Sequence, residues 1–369
     1  MALLQFTALL AALSPPPLSV RTATFDGVRY SATVLPATSP GLPPLLLLPP
    51  IGVGIDRSFC DRFLSAWAAH ASYGAAVHAI DVIGMGDSAP KPSMRRPWGG
   101  YATPPRTPAA WAAQLLSYIR SELHEACVLV AQSNLCAVAL EAAAREPGAL
   151  RALVLVGPPA VEALSADKSA AAIAKVWRLT SSPVGAALFR FARRKAFLAS
   201  FSKQNLFADP SQVDEAYLEM CAKGAEDTAT RHAVFSFVAG TWRRDYRPVL
   251  ASLRIPTLIV SGRDVRARGS APKPRVSEVD KTSLRGLLRW FRVWGKGDDQ
   301  PSGRFDQVGR DLGLDPEEKL RDYVAAMPAA EAAGCVETAL LPGFNVLVYE
   351  SPRELAECIG EFVSRRCAS

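Results

Sequence analysis

One serine stands at a predicted junction between a strand and a helix, where it could act as a nucleophile. Ser133 follows the apolar run 127–130 and precedes a helical pattern at 137–145. A serine hydroxyl attacks a carbonyl carbon only when a base or a lowered pKa activates it. Histidine is the most frequent base, and the chain has four histidines, none of them after position 232. The pattern therefore indicates a nucleophile without an evident base, and a small turn residue is the alternative interpretation.

None of the four histidines is an obvious replacement for that base. His232 stands on a predicted helix that could lie over a pocket, but a lone histidine on an apolar helix is more often structural. His70 and His124 fall at helix ends, and His78 falls within a strand. The general base therefore stays unassigned.

The elements that must position Ser133 alternate between strands and helices. Apolar runs predict strands at 28–34, 45–48, 76–80, 127–130, 152–156 and 256–264. Helical spacing predicts helices at 57–72, 108–125 and 137–145. Such alternation predicts an α/β fold with a mostly parallel, doubly wound sheet.

The predicted domain organisation is one core with an inserted cap. Residues 24–159 and 254–369 contain the strand patterns and form the core. Residues 160–253 have helical patterns and no clear strand, which predicts a helical cap over the carboxyl edge of the sheet.

The net charge of +7 belongs to one segment of the chain. Residues 263–297 carry ten Lys or Arg and three acidic residues, so the remaining 32 basic and 32 acidic residues balance. A broad basic field for nucleic acid is therefore not indicated, and we predict no nucleic-acid partner.

This charge lies in a predicted basic insertion, residues 266–310. Within it, residues 283–296 place leucine and aromatic side chains at helical spacing, with arginines and a lysine along another face. Such a basic amphipathic helix suits an anionic membrane surface. The alternative is a surface helix that packs its apolar face on the protein and keeps its arginines in water.

The cysteines indicate neither a disulfide framework nor a metal site. Seven cysteines are scattered along the chain with no C-x-x-C pair and no cluster of histidines. We predict buried small residues in a reducing compartment, and no metal or other cofactor.

The first 23 residues are predicted to be a leader or a disordered tail. Residues 1–14 form a short apolar run that resembles the apolar region of a signal peptide and precedes three prolines. A secretory route would follow from that interpretation. The run lacks a basic start and is too short to span a membrane stably.

Four motifs in a fixed order resemble the α/β-hydrolase superfamily. They are the glycine-containing loop 81–88, the Ser133 turn, the strand 256–264 and the closing segment 343–352. The resemblance covers about residues 25–365 without the basic insertion. Because a Pro-Pro-Ile-Gly-Val-Gly loop (residues 49–54) follows the first core strand, the chain looks most similar to hydrolase-like proteins of cyanobacteria and plastids. This resemblance implies a plastid location.

The resemblance implies a serine, acid and histidine triad that this chain completes only in part. Ser133 takes the nucleophile position and Asp264 the acid position, but Asn345 occupies the histidine position. Asparagine can orient a water or a substrate and cannot exchange a proton near neutral pH. Asp264 then has no histidine to orient, and an ordinary turn carboxylate is the alternative.

The resemblance also implies a nucleophile turn and an oxyanion hole. The usual turn reads G-x-S-x-G, whereas Ala131 and Leu135 stand at the two glycine positions. The backbone N–H groups of Ile51 and Asn134 are the predicted oxyanion donors.

Two functions follow from this pattern. The first is a serine hydrolase of small or lipid-like esters that works with an incomplete triad. The second is a non-catalytic member of the fold that binds a small-molecule ligand or serves as a scaffold. Ser133 favours the first, and the absent late histidine favours the second.

Overall fold

Eight strands form one sheet in the computed structural model, which describes residues 17–38, 42–70, 74–88, 103–264 and 315–367. The strands are β1 Ser19–Phe25, β2 Val28–Leu35, β3 Leu45–Leu48, β4 Val77–Ile80, β5 Cys127–Gln132, β6 Leu150–Val156, β7 Thr257–Gly262 and β8 Val336–Leu341. Their spatial order is β1-β2-β4-β3-β5-β6-β7-β8. Strand β2 is antiparallel to β1 and β4, and the other neighbours are parallel. The predicted α/β fold with a mostly parallel sheet is therefore confirmed.

The centre of the sheet is fully buried. The four leucines of β3, Leu45–Leu48, have no exposed surface, and β3 lies between the parallel strands β4 and β5. A parallel strand that is covered on both faces reads as a continuous apolar run rather than as an alternating pattern. This burial explains why the leucine run predicted a central strand.

Helices follow most of the strands in the described residues. They are α1 Asp61–His70, α2 Pro108–Tyr118, α3 Cys136–Arg145, α4 Val161–Ser165, α5 Ala170–Thr180, α6 Pro183–Ala192, α7 Lys195–Asn205, α8 Glu215–Gly224, α9 Arg231–Ala239, α10 Arg247–Ser252, α11 Pro316–Ala325, α12 Pro328–Ala332, α13 Leu347–Glu350 and α14 Pro352–Cys367. Helix α1 contacts α14, and α2 contacts α3. None of the described helices combines the length and the apolar character that crossing a membrane requires.

The segment between β6 and β7 contains helices α4 to α10 and no strand, and the structure describes all of it. It has a small apolar cluster of its own, which also contacts Ile51 and Val53 in the loop after β3. The members of this cluster are Trp177, Phe189, Ala225, Val234 and Phe235. The cap region and the loop after β3 therefore share a packed surface.

The first strand begins before the core boundary that we predicted at residue 24. Strand β1 starts at Ser19, which pairs with Val34 of β2. The two strands are joined by Asp26 and Gly27, whose φ angles are 51° and 68°. An Asp-Gly pair with two positive φ angles is a strong hairpin signal. The apolar and proline-rich residues before it obscured that signal, and β1 is an edge strand with most of its residues exposed.

Several predictions lie outside the described residues. They include residues 1–16 of the predicted leader, and the predicted basic insertion with its helical pattern at 283–296. All seven cysteines are described, and they are free thiols, five of them buried.

Candidate active site

Ser133 has the backbone conformation of a strained turn. Strand β5 ends at Gln132, a short 3₁₀ helix spans Ser133–Leu135, and α3 begins at Cys136. The φ angle of Ser133 is 57°, in the left-handed region that costs a residue with a side chain about 1–2 kcal/mol. Strain of this kind persists where the surrounding structure enforces it, often at functional sites.

The two departures from the glycine pattern add no backbone strain. Leu135 has φ −72° and ψ −7°, an ordinary right-handed conformation, and its side chain is buried in the core. Ala131 is a fully buried residue of strand β5. Because neither backbone needs a positive φ, a leucine and an alanine fit where the superfamily has glycine.

Four of the five predicted site residues line one cavity of about 190 Å³. They are Ile51, Ser133, Asn134 and Asn345. The structure therefore brings the serine together with both residues predicted as oxyanion donors and with the residue at the histidine position. Asp264 is not among the described residues that line this cavity.

The opposite wall of the cavity is apolar and comes from the cap region. Helices α6, α7 and α9 contribute five phenylalanines to the lining: Phe189, Phe197, Phe201, Phe235 and Phe237. A mostly apolar cavity with a few polar groups at one side is the usual form of a small-molecule site.

The loop that carries Asn345 is bonded to the serine turn. The side-chain amide of Gln132 donates a hydrogen bond of 2.9 Å to the backbone carbonyl oxygen of Asn345. Gly157, with φ 52°, lies against the same carbonyl, since a Cβ atom there would stand 3.1 Å from that oxygen. These contacts determine where residue 345 lies relative to Ser133.

Glu350 holds the same loop from its other side, a role that we did not predict. Its Oε2 atom accepts hydrogen bonds from the backbone N–H groups of Phe344, Asn345 and Val346 at 2.9, 3.2 and 3.3 Å. Its Oε1 atom accepts one from the N–H of Ala208, at 2.5 Å. Burial raises the pKa of Glu350, and the backbone donors oppose that rise. The sequence signal for this residue is the Glu-x-Pro of the closing motif.

Asp264 binds backbone rather than a side chain of the cavity. Its carboxylate accepts a hydrogen bond of 2.7 Å from the N–H of Gly343, and its own N–H donates to the carbonyl oxygen of Gly343 at 3.1 Å. Asp264 is exposed. The acid therefore joins the end of β7 to the loop that precedes Asn345.

The histidines whose side chains the structure describes, His78, His124 and His232, do not line the cavity. His232 is buried, its Nε2 lies 3.2 Å from the hydroxyl oxygen of Thr103, and its ring is 5.0 Å from that of Trp177. Burial lowers the pKa of His232 to about 4. The structural interpretation of His232 therefore fits its surroundings better than a catalytic one.

The loop after β3, which carries Ile51, rests directly on the cap region. Gly54 has φ 76°, and a Cβ atom at this position would stand 1.8 Å from the backbone oxygen of Cys221 in α8. Only glycine allows this approach. The close contact fixes the loop against α8.

An ion-pair cluster connects the same loop to the predicted glycine motif. Arg57 pairs with the buried carboxylate of Asp81 at 2.6 Å and with Asp87 at 3.0 Å. Burial raises the pKa of Asp81, as does the nearby Asp56, while Arg57 opposes the rise. The motif therefore contributes structural contacts around the site.

Lys319 on α11 also lines the cavity, and we did not predict it from the sequence. It is the only charged residue among the described residues of the lining. Its sequence neighbours are mostly charged, which is typical of a solvated helix, so the local pattern contained no signal for this position.

Comparisons with known proteins show similarity in structure only. No family model and no curated protein matches the sequence. The structure is similar to that of a serine hydrolase involved in carbazole degradation, with 15% identity, a TM-score of 0.60, and coverage of 95% of this chain and 100% of that chain. A putative α/β-hydrolase from Nostoc sp. PCC 7120 has 16% identity, a TM-score of 0.60, and coverage of 94% and 98%.

A thermophilic esterase from Thermogutta terrifontis gives a similar result, with 16% identity, a TM-score of 0.57, and coverage of 95% of this chain and 98% of that chain. At such low identities a structural match supports the fold and not the reaction. This protein therefore has the α/β-hydrolase fold.

Proposed function

We propose that this protein is a serine hydrolase of small apolar esters and that Ser133 is its acyl acceptor. The observation that carries this proposal is the φ angle of 57° at Ser133, at the end of a buried strand and at the edge of the cavity. A serine in ordinary helical geometry would not need this strain, whereas a strained strand-to-helix turn exposes a nucleophile. The solved serine hydrolase and esterase with similar folds support the same reaction class.

The reaction is expected to be slow because no described histidine lines the cavity. In the proposed step the Ser133 oxygen bonds to the ester carbonyl carbon, the alcohol oxygen leaves, and the serine proton passes to water. The amides of Ile51 and Asn134 would stabilise the oxyanion. Hydrolases that lose one triad member keep a rate about 10³–10⁴-fold above water through the oxyanion hole and binding.

The test is covalent labelling with a fluorophosphonate probe together with hydrolysis of p-nitrophenyl esters of short acyl chains. Nitrophenolate is a good leaving group and needs no general acid. We expect labelling and slow hydrolysis in the wild type and neither in Ser133→Ala. Absence of labelling in the wild type, or equal labelling of the mutant, would contradict the proposal.

Ser202→Ala is the matched control. Ser202 lines the same cavity, but its hydroxyl forms a hydrogen bond of 2.9 Å with the hydroxyl of Tyr217. If the probe reacts at the strained turn, Ser202→Ala keeps the label.

A second candidate is a non-catalytic protein that binds a small molecule in the same cavity. Asn345 at the histidine position is the observation that favours it, since asparagine cannot act as a base. This candidate predicts ligand binding without labelling, and that labelling would argue against it.

Two parts of the proposal depend on sequence alone. The similarity to cyanobacterial and plastid hydrolase-like proteins suggests a plastid location, which a fluorescent fusion of the full chain would test. The basic pattern at 283–296 suggests contact with anionic membranes. Equal sedimentation with anionic liposomes before and after deletion of these residues would contradict that contact.

A further inference from the structure

The cavity beside Ser133 has an uneven charge. Its described lining contains one cation, Lys319, and no aspartate or glutamate. Most of the other lining residues are apolar. A charge next to low-dielectric walls interacts more strongly with a ligand than the same charge in water does. The lining therefore favours an anionic ligand over a neutral or cationic one.

Lys319 lies on a helix that is anchored to the cavity wall. Tyr323, one turn further along α11, donates a hydrogen bond of 2.6 Å to the carbonyl oxygen of Pro159, and Pro159 lines the cavity too. Residues four apart on a helix share one face. The bond of Tyr323 thus holds the face that carries Lys319 against this wall.

The charge of Lys319 also reaches the serine turn. Burial raises the pKa of the Cys136 thiol, and Lys319 opposes that rise. Cys136 begins α3, three residues after Ser133. The cation therefore belongs to the polar side of the cavity, where Ser133 and Asn345 stand, and not to the phenylalanine wall.

The size of the cavity limits the ligand. Its volume is about 190 Å³, and an apolar cavity of roughly 150 Å³ in another protein holds one benzene molecule. The apolar part of a ligand is therefore one aromatic ring or a short aliphatic chain.

We propose that the cavity binds a small apolar carboxylate whose head group pairs with Lys319 and whose body lies against the phenylalanines of the cap region. A carboxylate fits better than a phosphate, since one lysine can balance one charge but not two. The inference rests on the proposed function in that both use the same cavity, and it makes the substrate an acyl compound that carries a carboxylate. Binding needs no turnover, so it can be tested separately.

Calorimetry on the full chain with octanoate, octanol and octylamine tests the proposal. We expect octanoate to bind the wild type and Ser133→Ala at least about tenfold more tightly than octanol, with octylamine weakest. Lys319→Met should lose at least about tenfold in octanoate affinity and retain octanol binding, which shows that it is folded. Lys319→Arg should retain most of the octanoate affinity.

Lys195→Met is the matched control, because Lys195 is an exposed residue of α7 that pairs with Glu215. It should bind octanoate as the wild type does. Equal affinity of the wild type for octanoate and octanol, no binding of either, or unchanged octanoate affinity in Lys319→Met would overturn the proposal. If octanoate binds as expected while Ser133 takes no label, the carboxylate site stands and the proposed hydrolase function fails.

Discussion

Gln132 and Asn345 are joined by a hydrogen bond of 2.9 Å, from the side-chain amide of Gln132 to the backbone oxygen of Asn345. Because Gln132 immediately precedes Ser133, this bond brings the position where the superfamily has histidine to the serine turn. The framework for a triad is therefore present around a residue that cannot act as a base.

Asn345→His is expected to increase ester hydrolysis. The loop is already held by Glu350 and Gln132, so an imidazole at this position would lie near Ser133, with Asp264 bonded to the same loop at Gly343. A well-placed general base contributes about 10²–10⁴-fold. We expect a gain of at least about tenfold in kcat/KM for p-nitrophenyl esters.

The double variant Asn345→His with Ser133→Ala is expected to lose this gain, and Asn345→Gln controls for the change of side chain. Equal rates for the histidine and glutamine variants would show that the loop does not direct residue 345 to the serine.

Ser133→Gly is expected to stabilise the fold relative to Ser133→Ala. At φ 57° glycine avoids the steric cost that alanine retains, about 1 kcal/mol after the greater freedom of unfolded glycine is included. Urea unfolding of both variants measures this difference. Lower stability of the glycine variant would mean that residue 133 is not in the left-handed conformation.

Gly54→Ala is expected to destabilise the protein and weaken labelling of Ser133. The new Cβ atom would stand 1.8 Å from the backbone oxygen of Cys221 at a φ of 76°. The loop that carries Ile51 must then move away from α8, at a cost of about 1–3 kcal/mol. Gly148→Ala is the control, since a Cβ atom there meets nothing within 4 Å. Similar unfolding free energies for the two variants would refute this contact.

His232 is expected to make stability depend on pH. Burial lowers its pKa from 6.5 to about 4, so below pH 6.5 the unfolded chain binds a proton that the folded chain does not. Its contribution is fully present above pH 6.5 and is lost as the pH falls towards 4. Between pH 7 and pH 5 the loss is about 2 kcal/mol.

His232→Gln should reduce that dependence by the same amount and should leave labelling of Ser133 unchanged, because His232 does not line the cavity. Urea unfolding at pH 5 and pH 7 measures the first effect. An unchanged pH dependence in the variant would place the titration elsewhere, and His78, whose pKa is also lowered to about 4 by burial, is the next residue to replace.

The buried strands could be predicted from the sequence, and the edge strands could not. Strand β3 is a run of leucines that is buried on both faces, so local composition was a sufficient signal. Strands β1 and β8 lie at the two edges of the sheet. All residues of β8 keep some exposure, so their side chains are mixed and no apolar run marks them.

The sequence by itself determined the inventory of chemical groups: a serine between a strand and a helix, an asparagine near the C-terminus, and no histidine after position 232. These are local facts, which residue types and short-range spacing determine. The tertiary structure alone decided which groups meet. Parallel strands bring their carboxyl ends to one edge, so Ile51, Ser133 and Asn345 line one cavity. Lys319 joins them through the packing of α11, a contact that no local pattern contains.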